Sequence, residues 1–320
     1  MVAALALSST ALAASPPATV QTYVEAPGPS GPLKGTMLVP QAGATAMVLI
    51  IPGSGPTDRD GNNPLGVRAA TYKLLAEGLA AQGVGSVRID KRGMFGSSAA
   101  VPDPNAVTID DYVSDVAAWN ATIRRKADAP CVWVLGHSEG GLVALASVQK
   151  TADICGLVLI AAAGRPLGEV LREQLRSNPA NAPILDQAMK AIDALEAGRR
   201  VDTTGMHPAL LPLFYPQVQG FLISAFSYDP AKLIAAIARP VLIVQGKRDL
   251  QVSVTDAERL KQAAPKAELV LLADTNHVLK TVTSDDRRMN FATYADPNLP
   301  LAPGVVDAIA KFIAAAHKGP

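Results

Sequence analysis

The stretch "CVWVLGHSEGG", from Cys131 to Gly141, decides the fold prediction. Its first half is a short apolar run typical of a buried strand, and the residues that follow it, "LVALASVQK", favour a helix. Gly136 and Gly140 flank Ser138 at this junction. A G-x-S-x-G sequence between a buried strand and a helix is typical of a nucleophile elbow, a sharp turn that exposes its serine. The pattern therefore predicts a nucleophile at Ser138; the alternative is a small-residue turn in an ordinary βα unit.

Outward from this stretch, short apolar runs alternate with segments of helical period. This alternation predicts an α/β fold, with a mostly parallel sheet and helices on both of its faces. The strand candidates are Met47–Ile51, Gly85–Ile89, Cys131–Leu135, Cys155–Ala161, Val241–Gln245 and Leu269–Leu272, preceded by an antiparallel hairpin of Thr22–Ala26 and Gly35–Val39. The helix candidates are Ala69–Ala81, Ile109–Lys126, Gly140–Lys150, Thr255–Ala263 and Gly304–Ala315.

One region interrupts the alternation. Residues 165–238 contain no convincing strand, but they contain two helical stretches, Leu167–Arg176 and Pro183–Ala197, and then a proline-rich run. The strand pattern resumes at Pro240. We interpret 165–238 as a helical insertion after the sixth strand of a single core, which is formed by 21–164 and 239–320 and preceded by a leader at 1–20.

A serine hydroxyl needs a neighbouring base before it becomes a good nucleophile. Of the four histidines, His277 lies in a loop directly after the last strand candidate, which places it at the same sheet edge as Ser138. The acid that orients this base is expected after a strand between the serine and the histidine. Asp249 meets that requirement, and Asp274 is the alternative. The sequence therefore predicts a triad of Ser138, Asp249 and His277.

Acyl transfer also needs donors for the oxyanion that forms when the serine attacks. One donor is expected from the backbone N–H of Glu139, which follows the serine, and the other from the loop after an early strand. That loop is "PGSGPTDRDGN", from Pro52 to Asn62. Ser54 is the preferred donor and Gly55 the alternative. The charged residues Asp58 to Asp60 either brace this loop or form a solvated cluster.

Together, "PGSGPTDRDGN", "IDKRGMFGSS", "LGHSEGG", "PVLIVQGKRDLQV" and "TNHVLK" resemble the α/β-hydrolase superfamily. The resemblance covers residues 30–316 and is closest to exported bacterial serine esterases with a G-S-G-P-x-D-R-D-G oxyanion segment. It implies the same triad, the amides of Ser54 and Glu139 as oxyanion donors, and a structural turn at Asp90 to Gly93. Where many relatives have histidine before the oxyanion glycine, this chain has Pro52.

The insertion lies where relatives of this superfamily carry a lid over the active site. It concentrates the aromatic residues Phe214, Tyr215, Phe221 and Phe226. These four are the candidates for substrate binding, although packing in a small helical subdomain explains most of them equally well. The nearby prolines stiffen the segment, which argues against a wide opening and favours short acyl chains.

Composition excludes several functional classes. A net charge of +1 and a pI near 7.8 leave no electrostatic footprint for nucleic acid or an anionic membrane surface. The two cysteines have no metal-ligand spacing with the histidines, and the expected chemistry requires neither a metal nor an organic cofactor. No segment after the leader is long and uncharged enough to span a bilayer. The expected partner is a small-molecule ester, and the oligomeric state is left open.

The first residues, "MVAALALSSTALAASPP", combine an apolar run with an A-x-A pattern, but they lack a positively charged start. A signal peptide and a disordered leader are both compatible with this, and we expect a periplasmic or secreted protein. Export would permit a disulfide between Cys131 and Cys155, which begin strands expected to be neighbours. A bridge also requires the two side chains to point toward each other, so the alternative of two buried thiols stays open.

These observations predict a carboxylesterase-type serine hydrolase that acts on short-chain esters. A serine peptidase or amidase would use the same triad, and matched ester and amide substrates separate the two. A ligand-binding protein on a retired hydrolase fold is the non-enzymatic alternative.

Overall fold

The structure, a computed structural model, describes residues 18–317. Its centre is a sheet of eight strands: β1 Thr19–Ala26, β2 Leu33–Pro40, β3 Ala46–Ile51, β4 Val84–Ile89, β5 Val132–His137, β6 Ile154–Ile160, β7 Val241–Gly246 and β8 Glu268–Leu272. Their order in the sheet is β1-β2-β4-β3-β5-β6-β7-β8. Strand β1 pairs antiparallel with β2 and β2 antiparallel with β4, and all other neighbours are parallel.

The central strands are apolar on both faces because helices cover both faces of the sheet. In β3, Met47, Leu49 and Ile51 pack on one side, and Val48 and Ile50 pack on the other. This period of two is what a strand buried on both faces requires. The predicted α/β architecture is therefore confirmed.

Two groups of helices form these layers. One layer contains α2 (Ile109–Ala127), α3 (Glu139–Val148) and α9 (Val254–Ala263). The opposite layer contains α1 (Thr71–Ala81) and α11 (Val305–His317). The predicted start of α1 at Ala69 is two residues early, because Ala70 adopts a left-handed conformation with φ 49° that a helix cannot include. A short helix α10 (Arg287–Ala292) was not predicted.

The residues between β6 and β7 are helical, as predicted for the insertion. The helices are α4 Leu167–Arg176, α5 Leu185–Glu196, α6 Leu211–Phe214, α7 Pro216–Phe226 and α8 Pro230–Ala235. They enclose a small core of their own, in which Leu195, Leu210 and Phe214 are fully buried.

Within residues 18–317, no single helix is long and apolar enough to span a membrane. Only when Pro208–Phe214 and Pro216–Phe226 are taken together, across a bend of 58°, is the required length and apolar character reached.

The predicted leader, residues 1–20, falls outside the described residues up to position 17, and β1 begins at Thr19. The two cysteines are joined: Cys131 and Cys155 form a disulfide with a Cα–Cα distance of 5.2 Å. They lie where β5 and β6 begin, with Val132 paired to Ile154. The bridge thus crosslinks β5 and β6 at their amino-terminal ends, whereas Ser138 follows the carboxyl end of β5.

Removing this bridge should lower the stability of the protein without lowering its kcat. A crosslink across 24 residues restricts the unfolded chain, so the double variant Cys131→Ser/Cys155→Ser should lose about 3 kcal/mol of unfolding free energy. Urea unfolding followed by circular dichroism measures this loss, and turnover at 25 °C provides the control. A fall in kcat at a temperature where the variant is fully folded would contradict the expectation.

Candidate active site

The turn that carries Ser138 is sterically specified by its glycines. Ser138 has φ 54° and ψ −121°, a conformation that non-glycine residues rarely adopt. A Cβ on Gly136 would lie 2.1 Å from the carbonyl oxygen of Gly140, and one on Gly140 would lie 2.5 Å from that of Ile51. The Ser138 N–H donates to the carbonyl of Ile160 at 2.9 Å. The elbow is therefore held in its strained form between β3 and β6.

His277 and Asp249 form a buried pair. His277 Nδ1 lies 2.8 Å from Asp249 Oδ2. The other carboxylate oxygen, Oδ1, accepts the backbone N–H groups of Gln251 at 2.7 Å and Val252 at 3.0 Å. Asp274, the alternative acid, is 51% exposed, and its carboxylate lies 3.9 Å from Arg248. The structure thus brings Asp249, and not Asp274, to the histidine.

The surroundings of Asp249 keep its carboxyl ionised. Burial by itself raises its pKa, but the charge of His277, the His277 hydrogen bond and the amides of Val252 and Gln251 lower it more. The pKa of Asp249 therefore lies below its ordinary value. An ionised carboxylate at Nδ1 favours the His277 tautomer that carries its proton there, which leaves Nε2 unprotonated.

Ser138 and His277 line the same cavity, which has a volume of about 160 Å³. Ser138 is half-buried, and its Oγ forms no hydrogen bond within residues 18–317. The hydrogen bond between a nucleophilic serine and its histidine is often long or poorly aligned until substrate binds. The cavity is lined by Gly53, Ser54, Thr57, Gly61, Asn63, Val67, Thr71, Tyr72, His137, Ser138, Gln251, His277, Val278 and Tyr294.

The loop after β3 passes directly beside the serine. A Cβ on Gly53 would lie 3.2 Å from the Ser138 Cβ. The Gly53 N–H is already used, because it donates to Tyr72 Oη at 2.8 Å. In the part of the chain that the structure describes, the amides of Ser54, Gly55 and Glu139 donate no hydrogen bond. The amides of the predicted oxyanion donors, Ser54 and Glu139, and of the alternative Gly55 therefore have no hydrogen-bond partner in this part of the chain, and their role stays a prediction.

His137 connects the loop after β3, which it reaches through Tyr72, with the backbone of His277. The sequence did not predict these contacts. Its Nε2 lies 2.8 Å from the His277 carbonyl oxygen, and its Nδ1 lies 2.9 Å from Tyr72 Oη. A carbonyl only accepts, so Nε2 carries the proton and Nδ1 accepts from the Tyr72 hydroxyl. Burial, reinforced by the charge of His277, lowers the pKa of His137 to about 3. A neutral ring therefore completes a chain from Gly53 N–H through Tyr72 and His137 to the His277 backbone.

A model of the alpha/beta hydrolase family matches residues 48–288, which include Ser138, Asp249 and His277. The chain belongs to this family. It is 27% identical over 255 residues to Esterase EstD from Thermotoga maritima, which covers 77% of this chain. The chain spans 58% of the length of that relative.

Solved structures show the same alpha/beta hydrolase fold. The Pyrococcus furiosus esterase Pf2001 aligns with a TM-score of 0.55 at 16% identity, covering 92% of both chains. A thermophilic esterase from Thermogutta terrifontis aligns with a TM-score of 0.56 at 19% identity, covering 92% of this chain and 99% of its own. A bromoperoxidase from Bacillus anthracis aligns with a TM-score of 0.52 at 17% identity, covering 92% of this chain and all of its own (100%). Because these neighbours differ in activity, the likeness establishes the fold alone.

In this alpha/beta hydrolase, the charged residues Asp58 to Asp60 brace the loop that follows β3. Arg59 donates its backbone N–H to Asp90 Oδ1 at 2.9 Å and its Nε to Oδ2 at 3.0 Å. Asp60 pairs with the buried Arg88 of β4. The Asp58 carboxylate accepts the amides of Asp60 and Asn62. The segment is therefore tied to the carboxyl end of β4, as the bracing interpretation predicted.

The four candidate aromatic residues do not line the Ser138 cavity. Phe214 and Phe226 are buried in the core of the insertion, so their assignment to substrate binding is corrected to packing. Phe221 packs edge-on against Tyr112 at 5.8 Å between ring centroids, and Tyr215 is exposed. Substrate contact by Tyr215 and Phe221 stays a prediction. Among the described residues, no group of three or more His, Cys, Asp or Glu side chains is arranged to hold a metal ion.

Proposed function

We propose that the protein is a serine hydrolase that cleaves small carboxylic esters through an acyl-enzyme. The observation that carries this proposal is the buried His277–Asp249 pair, which shares one cavity with Ser138 on a strained elbow. The nucleophile Ser138, the orienting acid Asp249 and the base His277 follow the carboxyl ends of β5, β7 and β8, respectively. The esterase names of the sequence relative and of two structural neighbours support an ester as the substrate.

The reaction follows from these positions. His277 Nε2 takes the proton from Ser138 Oγ as the serine attacks the ester carbonyl. The free amides of Ser54 and Glu139 bind the oxyanion, and the protonated histidine then donates its proton to the departing alcohol. Water, deprotonated by the same histidine, then attacks the acyl carbonyl, and the histidine returns this proton to Ser138 Oγ as the bond to the acyl group breaks and the acid leaves.

The helices between β6 and β7 are proposed to cover the site as a lid. Gln174 on α4 donates to the carbonyl of Gln251 at 2.8 Å, in the loop that carries Asp249. A second contact joins α7 to the start of α2, where Ser224 accepts the N–H of Ile109 at 3.1 Å. Together with a cavity of only about 160 Å³, these contacts support short esters over long acyl chains.

Active-site labelling and a substrate panel test this proposal. A fluorophosphonate probe should label the wild-type protein but not Ser138→Ala, and short-chain esters should be hydrolysed faster than long-chain esters. Matched ester and amide substrates test the peptidase or amidase alternative. Complete failure of labelling would support the non-catalytic alternative.

The proposed base predicts how activity depends on pH. His277 accepts a proton only as a neutral imidazole, so kcat/KM should fall on acidification. In a plot of log(kcat/KM) against pH, the acidic limb should have a slope of one, because one group is protonated. Asp249, with its lowered pKa, stays ionised through this range, and His137, with a pKa of about 3, stays neutral. The exposed His207 provides a control, because His207→Gln should leave the profile unchanged. A flat profile or a slope of two would contradict the assignment of His277.

We propose from the disulfide that the protein is exported to an oxidising compartment. A disulfide persists in the periplasm or outside the cell, whereas cytosolic thiols are kept reduced. The Cys131–Cys155 bridge therefore supports a periplasmic or secreted protein. Cell fractionation of the native host with an antibody against the protein tests this location.

A further inference from the structure

One wall of the Ser138 cavity is polar. It contains Asn63, Gln251 and Tyr294 in addition to the reacting groups. Tyr294 is only 8% exposed, and its Oη accepts a hydrogen bond from Gln251 Nε2 at 3.1 Å. Its hydroxyl proton meets no acceptor within residues 18–317. A buried donor left unpaired costs about 1–3 kcal/mol, so a ligand that supplies an acceptor gains from this position.

The neighbouring glutamine is fixed to the triad. The Gln251 backbone N–H donates to Asp249 Oδ1 at 2.7 Å, and its carbonyl accepts from Gln174 at 2.8 Å. Its side-chain oxygen, Oε1, is unpaired among the described residues. Burial, opposed by the Gln251 hydrogen bond, raises the pKa of Tyr294, so the phenol keeps its proton as a donor. One donor and one acceptor are therefore held at a set position relative to His277.

We propose that this wall is a polar subsite that selects short esters bearing a hydroxyl group near the ester, with Tyr294 as donor and Gln251 as acceptor. The proposal rests on the proposed esterase function and names its substrate class. A hydroxyl both donates and accepts, so it satisfies the two groups at once. A methyl group of similar size would leave both unpaired, and sites of this kind discriminate strongly against the analogue that lacks the polar group.

Matched esters test the subsite. Glycolate and propanoate esters of one alcohol differ by a hydroxyl in place of a methyl, and 2-hydroxyethyl and propyl acetates differ in the same way on the alcohol side. In at least one pair, the hydroxyl compound should have a kcat/KM about 10-fold higher, after division by the ratio for alkaline hydrolysis. Tyr294→Phe should bring this corrected ratio close to one, because the donor that pairs with the substrate hydroxyl is removed.

Tyr228→Phe is the matched control, because the Tyr228 hydroxyl donates to the exposed Asp110 and does not line the cavity. It should keep the wild-type ratio. If Tyr294→Phe fails to fold, Gln251→Leu should lower the ratio in its place. Equal rates within both pairs for the wild type, or a ratio that survives Tyr294→Phe, would overturn the subsite. Failure to cleave any ester would instead overturn the proposed function.

Lys91 is buried beside the loop that carries Ser54, and only 4% of the residue is exposed. Its Nζ donates to the carbonyl oxygen of Gly53 at 2.7 Å and lies 3.2 Å from Glu139 Oε1. It also lies 5.4 Å from the ring centroid of Tyr112. The Gly53 carbonyl and the Ser54 N–H belong to one planar trans peptide group, and they point in opposite directions. One ammonium therefore holds the peptide that carries Ser54 N–H and the side chain of the residue that carries the second free amide.

The geometry points to Lys91 as a positioning residue for both oxyanion donors. Removing a single donor of such a site typically lowers kcat by about 10²–10³-fold, and misorienting donors has a smaller effect of the same kind. Lys91→Met should therefore lower kcat by about 10-fold or more, with KM little changed. Affinity for a trifluoromethyl ketone, which forms an oxyanion on the serine, should fall in parallel.

Arg92→Met is the matched control. Arg92 is an adjacent buried cation, but it bonds to Asp111 and Asp115 on α2. This variant should lose stability while keeping kcat when folded. If Lys91→Met does not fold, Glu139→Gln should lower kcat in the same direction and by less, because the bond to Gly53 remains. A rise in KM at constant kcat, or an equal loss of kcat in Arg92→Met, would overturn the positioning role.

Discussion

Replacing Ser138 with alanine is expected to lower kcat by about 10⁴-fold or more while the fold stays intact. The variant keeps the elbow, the oxyanion amides and the cavity, but no other group can form the acyl-enzyme. His277→Ala should cost about as much, since a serine without its base is a weak nucleophile. The double variant should lose little beyond either single variant, because the two residues act as one unit. Steady-state hydrolysis of a short-chain ester measures all three.

Ser147→Ala is the appropriate control for the serine variant. Ser147 lies on the same helix, α3, and is fully buried, but its hydroxyl donates to the Val143 carbonyl within the helix, away from the cavity. It should retain wild-type turnover. Matching circular dichroism spectra for Ser138→Ala and the wild type would show that a lost activity is not lost folding. Substantial turnover by a folded Ser138→Ala protein would refute the nucleophile assignment.

Asp249→Asn is expected to lower kcat by at least about 10²-fold, with an upper range near 10⁴-fold. The Asp249 carboxylate accepts four hydrogen bonds, from His277, Gln245 and the amides of Gln251 and Val252. An asparagine keeps one acceptor oxygen and brings two N–H donors into a place built for acceptors. It therefore favours the wrong histidine tautomer and removes the charge that stabilises the imidazolium.

The comparison with Asp274→Asn makes this experiment decisive. Asp274 lies in the same loop region as His277, but it is half exposed, and the cation nearest to it is Arg248 at 3.9 Å. Exposed pairs at such distances contribute little, so the change should be nearly silent. The opposite order, with Asp274→Asn inactive and Asp249→Asn active, would transfer the acid role to Asp274.

Local signals were sufficient for the α/β architecture and for the positions of Ser138, Asp249 and His277. The elbow requires glycines that the sequence displays, because Gly136 and Gly140 lie where a Cβ would collide with backbone. The ends of buried strands are also readable, because apolar runs stop where the chain leaves the core. Consequently, the amino-acid sequence alone assigns the residues that follow these strands to one edge of the sheet.

Contacts between distant segments were not predictable in this way. His137 lies beside the serine in sequence, yet its partners are Tyr72 on α1 and the backbone of His277. Lys91 was visible only as part of a charged turn. The aromatic residues of the insertion satisfied a compositional signal for a pocket, but a subdomain without a sheet needs large side chains for its own core, and Phe214 and Phe226 supply it. Tyr294, which does line the cavity, carried no signal at all.

The neutral His137 ring also offers a spectroscopic reporter inside the site. Its Nε2 proton is buried and committed to the His277 carbonyl, so exchange with solvent should be slow enough for a separate proton resonance to be observed. With a pKa of about 3, the ring stays neutral over the pH range in which the proposed base works. Its Nδ1 contacts Tyr72, which binds the Gly53 amide, and its Nε2 contacts the backbone of His277. Occupancy of the cavity can therefore be followed by nuclear magnetic resonance on an inactive variant, with no chemical step required.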